Sequence, residues 1–186
     1  MSSDLTFSHN HLILDACCII NLYASRRLGE ILTALPGSTT VSDYVYRESG
    51  WVYDGPDDNA RQTKAPINLQ PFIQAELLSL VSIDSEAERS KFIHFAAHLD
   101  DGESCIGAIA VCRNWAVATD DKKAINLFYR EAPDLQIVST LELVKYWVDT
   151  TQPSVDTVRT ALRNIRLRAN YKPGAKHILY DWWQRF

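Results

Sequence analysis

The sequence of 186 residues contains no apolar run that approaches the ~20 residues needed to cross a membrane. Its first residues, Met1 to Thr6, carry neither a basic segment nor an apolar one, so secretion is not expected and a cytoplasmic location is. Cysteine is scarce: Cys17, Cys18, Cys105 and Cys112 are the four, and no two of them form a CxxC pair. They offer no disulfide framework, and reduced core thiols are the expectation. No internal repeat and no low-complexity tract is present, which leaves one domain, or one domain with an appendage. At this length roughly 70% of the unfolded chain's surface can be buried, so no staple is required.

What is present is an uneven distribution of charge. The formal net charge is −4, yet from Val155 onward seven Lys/Arg face two acids. The remainder, 1–154, holds twelve bases against twenty-one acids. An acidic body with a basic C-terminal arm suits a polyanionic substrate, the arm meeting phosphates while cations mask the acids.

Hydrophobic patterning predicts alternating strands and helices. His11–Leu14 is a short apolar strand, followed by helices over 16–24 and 26–35, the second stopped by Pro36-Gly37. Thr39–Val41 is the next strand, and Ser42-Asp43 opens a helix carrying Glu48. The segment 51–70 reads as loop, centred on 54–59. Pro71 starts a helix to about Leu78; Leu80–Ile83 is a strand and 85–99 a helix. Glu103–Arg113, rich in small residues, predicts a helix packed closely on a sheet. Then come strand 115–118, helix 122–130 and strand 135–138. A capping box at Ser139–Glu142 opens a helix to about 148, and Pro153 begins another to about Ala169. Alternation of this kind implies an α/β fold with a mostly parallel sheet.

Four acidic clusters fall where these elements meet: Asp15 after the first strand, Glu48, the run Asp100-Asp101-Gly102-Glu103 at a helix start, and Thr119-Asp120-Asp121 after a strand. Capping accounts for Asp15 and for one of Asp120 and Asp121, and the helix macrodipole favours Glu103. It does not account for three acids in four positions at one helix start, nor for the second aspartate at 120–121. Acids at the carboxyl ends of parallel strands converge on the ligand crevice of open α/β sheets. Gathered there, they repel unless a divalent cation neutralises them, and oxygen ligands suit Mg²⁺ or Mn²⁺.

In combination these segments resemble a PIN domain, the metal-dependent nuclease fold of many bacterial toxins of the VapC type. The order, spacing and strand context match over about 10–150, and Gly102-Glu103 with Ala108 and Ala110, and Thr119-Asp120-Asp121, carry the likeness. The resemblance implies a three-layer sandwich with a mostly parallel central sheet over 1–150, with 151–186 a basic, aromatic helical extension outside the shared core. It implies Mg²⁺- or Mn²⁺-dependent hydrolysis of RNA, a protein antitoxin as partner, and a homodimer. Carried over residue by residue, Asp15, Glu48, Glu103 and Asp121 are the catalytic acids. Asp15, Glu103, Asp120 and Asp121 are the metal ligands, supported by Asn21, Thr119 and Asp101. Where the family often has Ser or Thr two residues after the first aspartate, this chain has Cys17, a weaker hydrogen-bonding group.

Other features weigh less. Arg159, Arg163 and Arg166 run beside an apolar stripe of Val155, Val158, Leu162, Ile165 and Ala169 and could lie near an RNA backbone. His94 and His98 are four apart on one helix without an HExxH motif, and the Tyr180–Phe186 tail is aromatic enough to pack on the domain or a second subunit. Two other readings share the acids: a catalytically silent RNA-binding module, and a nuclease acting on DNA. A haloacid-dehalogenase-like phosphatase needs Asp-x-Asp at the first strand, where Cys17 takes the third place.

Overall fold

The computed structural model describes residues 6–54 and 63–186. Five parallel strands form the central sheet: β1 (His11–Leu14), β2 (Ser38–Ser42), β5 (Ser79–Val81), β6 (Ala116–Ala118) and β7 (Ile137–Val138), in the order β5-β2-β1-β6-β7. Leu12, Ile13 and Leu14 are almost wholly buried, as a central strand covered on both faces requires. Helices α1 (Ala16–Ala24), α2 (Leu28–Ala34), α8 (Thr140–Thr151) and α9 (Val155–Arg168) pack together, while α3 (Asp43–Glu48), α5 (Glu86–Ala96) and α6 (Asp101–Arg113) form a second group. Two short helices, α4 (Gln70–Gln74) and α10 (Tyr180–Gln184), and α7 (Lys122–Glu131) complete the set. The fold is thus an α/β sandwich around a parallel sheet. No helix among the described residues is long and apolar enough to cross a membrane.

Caps set many of the helix starts. Ser139 and Glu142 exchange the bonds of a capping box, and Ser85 and Glu88 form a second one. Helix α6 is buried along most of its length because its residues are small, and Gly107 lies directly against the rings of Phe128 and Phe95.

Several elements differ from the sequence expectation. The segment 51–70 is not all loop: β3 (Trp51–Tyr53) pairs antiparallel with β4 (Lys64–Pro66). Strands of three residues carry too little alternation to be read. Here the hairpin is held by the buried Val52 and by the Lys64 ammonium 3.6 Å over the Trp51 ring. Most of the polar centre expected at 54–59 lies outside the described residues. Helix α4 ends well before Leu78, because the chain turns through a left-handed conformation at Glu76 (φ 57°) to bury Leu78 against the core. In α9 the stripe is Val158, Ala161, Leu162 and Ile165, whereas Val155, in the first turn after the Ser154 cap, is 60% exposed. The four cysteines are free; Cys105 is a core thiol as expected, but Cys112 is exposed.

The turn into β2 depends on Gly37, which has a φ of +83° and whose missing Cβ would overlap the Asn10 carbonyl. Gly37→Ala is expected to lower the unfolding free energy by at least about 1–2 kcal/mol, the cost of a left-handed L-residue, read as a reduced urea midpoint at unchanged m-value.

Candidate functional site

The strand order reverses between β1 and β6, and the crevice of an open parallel sheet lies at the carboxyl ends of such a pair. Leu14 is in register with Ala118, and the Asp15 amide donates to the Ala118 carbonyl at 2.9 Å. Asp15 and Thr119 therefore leave their strands side by side. The Thr119 hydroxyl donates to Asp15 Oδ2 at 2.7 Å and accepts from the Asp121 amide at 3.1 Å. Asp15 Oδ1 caps α1 by accepting from the Ala16 amide at 2.7 Å. Cys17 makes the contact expected of a hydroxyl: its thiol donates to Asp15 Oδ2 at 3.1 Å, and its sulfur accepts from the Asp120 amide at 3.3 Å.

The remaining acids arrive from the α3–α6 side. Glu48 is the last residue of α3, whose start is fixed by the Ser42 cap. Its carboxylate lies over Gly102 so closely that a Cβ there would stand 2.5 Å from Oε2. Asp100 caps α6, accepting from the Glu103 amide at 2.8 Å. Glu103 is pushed up to about 7, first by burial and then by the charges of Asp100, Asp121 and Asp15. Burial and the charges of Asp100, Asp15 and Asp101 raise Glu48. Asp15 is raised chiefly by burial, and the bonds from Thr119, Cys17 and Ala16 only partly offset this. Arg47 is the cation that enters, as the weakest of the influences on Glu48, and it is already paired with Asp43 at 3.0 Å.

Asp15, Glu48, Glu103 and Asp121 are thus brought into one electrostatic cluster. Asp100 belongs with them, acting on Asp15, Glu48 and Glu103 alike. The sequence shows Asp100 in the acidic run at this helix start without marking it as a site residue; its place three residues before Glu103 was the signal. Asp101 is exposed and is among the charges that raise Glu48. Asp121 Oδ1 caps α7, accepting from the Lys123 and Ala124 amides at 2.7 and 2.9 Å, so its second oxygen is the one left for the cluster.

Asp120 turns the other way. Its Oδ1 accepts from the Thr140 amide at 3.1 Å and the Tyr171 hydroxyl at 3.4 Å. Its Oδ2 accepts from Asn21 at 3.1 Å and from the Thr140 hydroxyl. Asn21 therefore orients Asp120 rather than the acid cluster. Cys17, Cys18 and Asp120 bring ligand atoms within 4.8 Å of one another and could hold a metal ion. Thiols favour soft ions over Mg²⁺, burial holds the Cys18 thiol strongly protonated, and the Asp120 oxygens are already engaged. The carboxylate cluster has the opposite chemistry, oxygen donors with surplus negative charge.

No protein-family model and no curated protein matches this chain. The chemistry of the site is therefore argued from its geometry. Arg159, Arg163 and Arg166 lie on the exposed face of α9, with Arg159 bound to Asp156 at 2.6 Å. His94 faces Glu131 at 3.5 Å, and His98 lies beyond the end of α5.

A carboxyl group raised in the folded state stabilises the fold fully below its unfolded value and loses that contribution as pH rises through the folded value. For Glu103 the window runs from about 4.5 to about 7. In chelator, the melting temperature of the wild type is expected to fall between pH 5 and pH 8 more steeply than that of Glu103→Gln; equal slopes by differential scanning fluorimetry would remove Glu103 from the cluster.

Proposed function

We propose that this protein is a PIN-type endoribonuclease that uses Mg²⁺ or Mn²⁺ to hydrolyse RNA, and that it is the toxin of a toxin–antitoxin pair. The observation that carries the reading is the crowding of Asp15, Glu48, Asp100, Glu103 and Asp121 at the sheet's reversal point, where burial and mutual repulsion raise three of them. Such a set fits a hard divalent cation. Asp15, Glu103 and Asp121 would hold it, with Glu48 and Asp100 completing the negative shell. A bound divalent ion supplies positive charge that activates water and stabilises the phosphodiester oxygens.

The chain's own residues do the rest. Thr119 and Cys17 fix the Asp15 carboxylate in one orientation, and Gly102 makes room for Glu48. The products would be a 5′-phosphate and a 3′-hydroxyl. The protein antitoxin and the homodimer rest on the family resemblance alone.

Cleavage of a single-stranded RNA in Mn²⁺ is expected to fall by at least about 10²-fold in Glu103→Gln and in Asp15→Asn, at unchanged circular dichroism. Cleavage surviving in both, or products ending in 2′,3′-cyclic phosphate, would overturn the reading. Gly102→Ala provides a finer test. Alanine favours a helix over glycine by up to about 1 kcal/mol, so the fold should hold while the displaced Glu48 carboxylate lowers kcat.

A further inference from the structure

Beside the acid cluster lies a cavity of about 870 Å³ that reaches Thr119 and Asp120. None of the five acids lines it; Thr119, whose hydroxyl bonds Asp15, is the link between the cavity and the cluster. One wall is the face of α7 that carries Lys122, Asn126 and Tyr129, at the three- and four-residue spacing that aligns side chains on a helix. A second wall is the segment after α9, with Lys172, Lys176 and His177. That segment is anchored by Tyr171, whose hydroxyl bonds Asp120, and by His177. The Leu179 amide donates to His177 Nδ1 at 3.0 Å, so Nε2 carries the proton and donates to the Ser139 hydroxyl at 3.0 Å.

The charge of the cavity is not self-cancelling. Lys122, Lys172 and Lys176 are exposed, and among the described residues none of them has a carboxylate partner. Its two acids accept from neutral donors rather than from the lysines, Asp120 from Asn21, Thr140 and Tyr171 and Glu142 from the Ser139 capping box, and the three lysines outnumber them. Tyr129 presents its ring 60% exposed on the same face as Lys122. An acid cluster repels a polyanion, so a strand cleaved there needs cations alongside to hold it. Unpaired lysines next to an open aromatic ring are what a single strand uses: ammonium groups for phosphates, a ring face for an unstacked base.

We propose that this cavity is the binding channel for the single-stranded RNA flanking the scissile bond, with Lys122, Lys172 and Lys176 on its phosphates and Tyr129 under a base. The choice of RNA as occupant rests on the nuclease reading of the acid cluster; the binding itself is measured without cleavage. The full-length Glu103→Gln protein is titrated with a fluorescein-labelled single-stranded RNA of mixed sequence at several salt concentrations. Lys172→Glu with Lys176→Glu is expected to raise Kd at least about tenfold and to make the log Kd–log salt slope shallower by about 1.4, the share of two phosphates. Tyr129→Ala should weaken binding about tenfold with the slope unchanged. The same charge reversal at Arg89 and Arg185, exposed cations that do not line the cavity, should leave Kd within about threefold.

Wild-type-like binding by the double lysine variant, equal loss in the Arg89/Arg185 control, or no RNA binding by the parent protein each overturns the channel. Binding through the lysines by a protein whose wild type never cleaves would uphold the channel and remove the nuclease reading. Cleavage that is indifferent to the lysines would do the reverse.

Discussion

The parallel pairing of β1 with β6, closed at its carboxyl end by the Thr119 hydroxyl on Asp15, is the constraint on which the rest of the site depends. It sets the point where strand order reverses, and so where the crevice opens. It also sends two consecutive aspartates in opposite directions. Asp121 follows the Thr119 hydroxyl into the acid cluster, while Asp120 is drawn into the Asn21–Thr140–Tyr171 network. One side becomes a place of unmet negative charge and the other a rigid, satisfied support. A buried, fully bonded carboxylate is tolerable because each lone pair has a donor. Burial raises Asp120 as it raises Asp15, Glu48 and Glu103, and in the cluster the charges of neighbouring carboxylates add to that rise.

The C-terminal extension ties into this arrangement through Asp120. Tyr171 reaches it directly, and His177 reaches the neighbouring Ser139 cap. A segment outside the resemblance to the PIN core thereby becomes a wall of the cavity beside the acids. The surplus base of the C-terminal arm is split: Arg159 is spent on Asp156, whereas Lys172 and Lys176 face the cavity. Arg168 is spent elsewhere again, on Asp54 next to the β3–β4 hairpin.

Much of the fold was legible because its signals are local. The apolar run of β1, the Ser139–Glu142 box and the small-residue helix α6 each announce themselves within a few residues. The four principal acids were legible as an ordered set at element ends. What escaped depends on contacts between distant segments, or on a residue doing two things. Asp100 stood in the acidic run at a helix start with no role of its own; it caps α6 and also charges the cluster. Asp120 read as a ligand because it adjoins Asp121, and only the packing of α1 and α8 reveals its donors. The space that Gly102 leaves for Glu48 has no sequence signal, because helical glycines have many causes. The β3–β4 hairpin was lost to brevity, and the lysine wall to the distance in sequence between α7 and the segment beyond α9.

The central claim is that the carboxylates at the β1–β6 reversal form a site for a hard divalent cation, distinct from the Cys17–Cys18–Asp120 group. Calorimetric titration with Mn²⁺ at neutral pH tests it directly. The account predicts saturable binding that is lost in Asp15→Asn and Glu103→Gln and retained in Cys17→Ser. Absence of binding by the wild type, or binding that survives both carboxylate substitutions and disappears with the thiol, would contradict it.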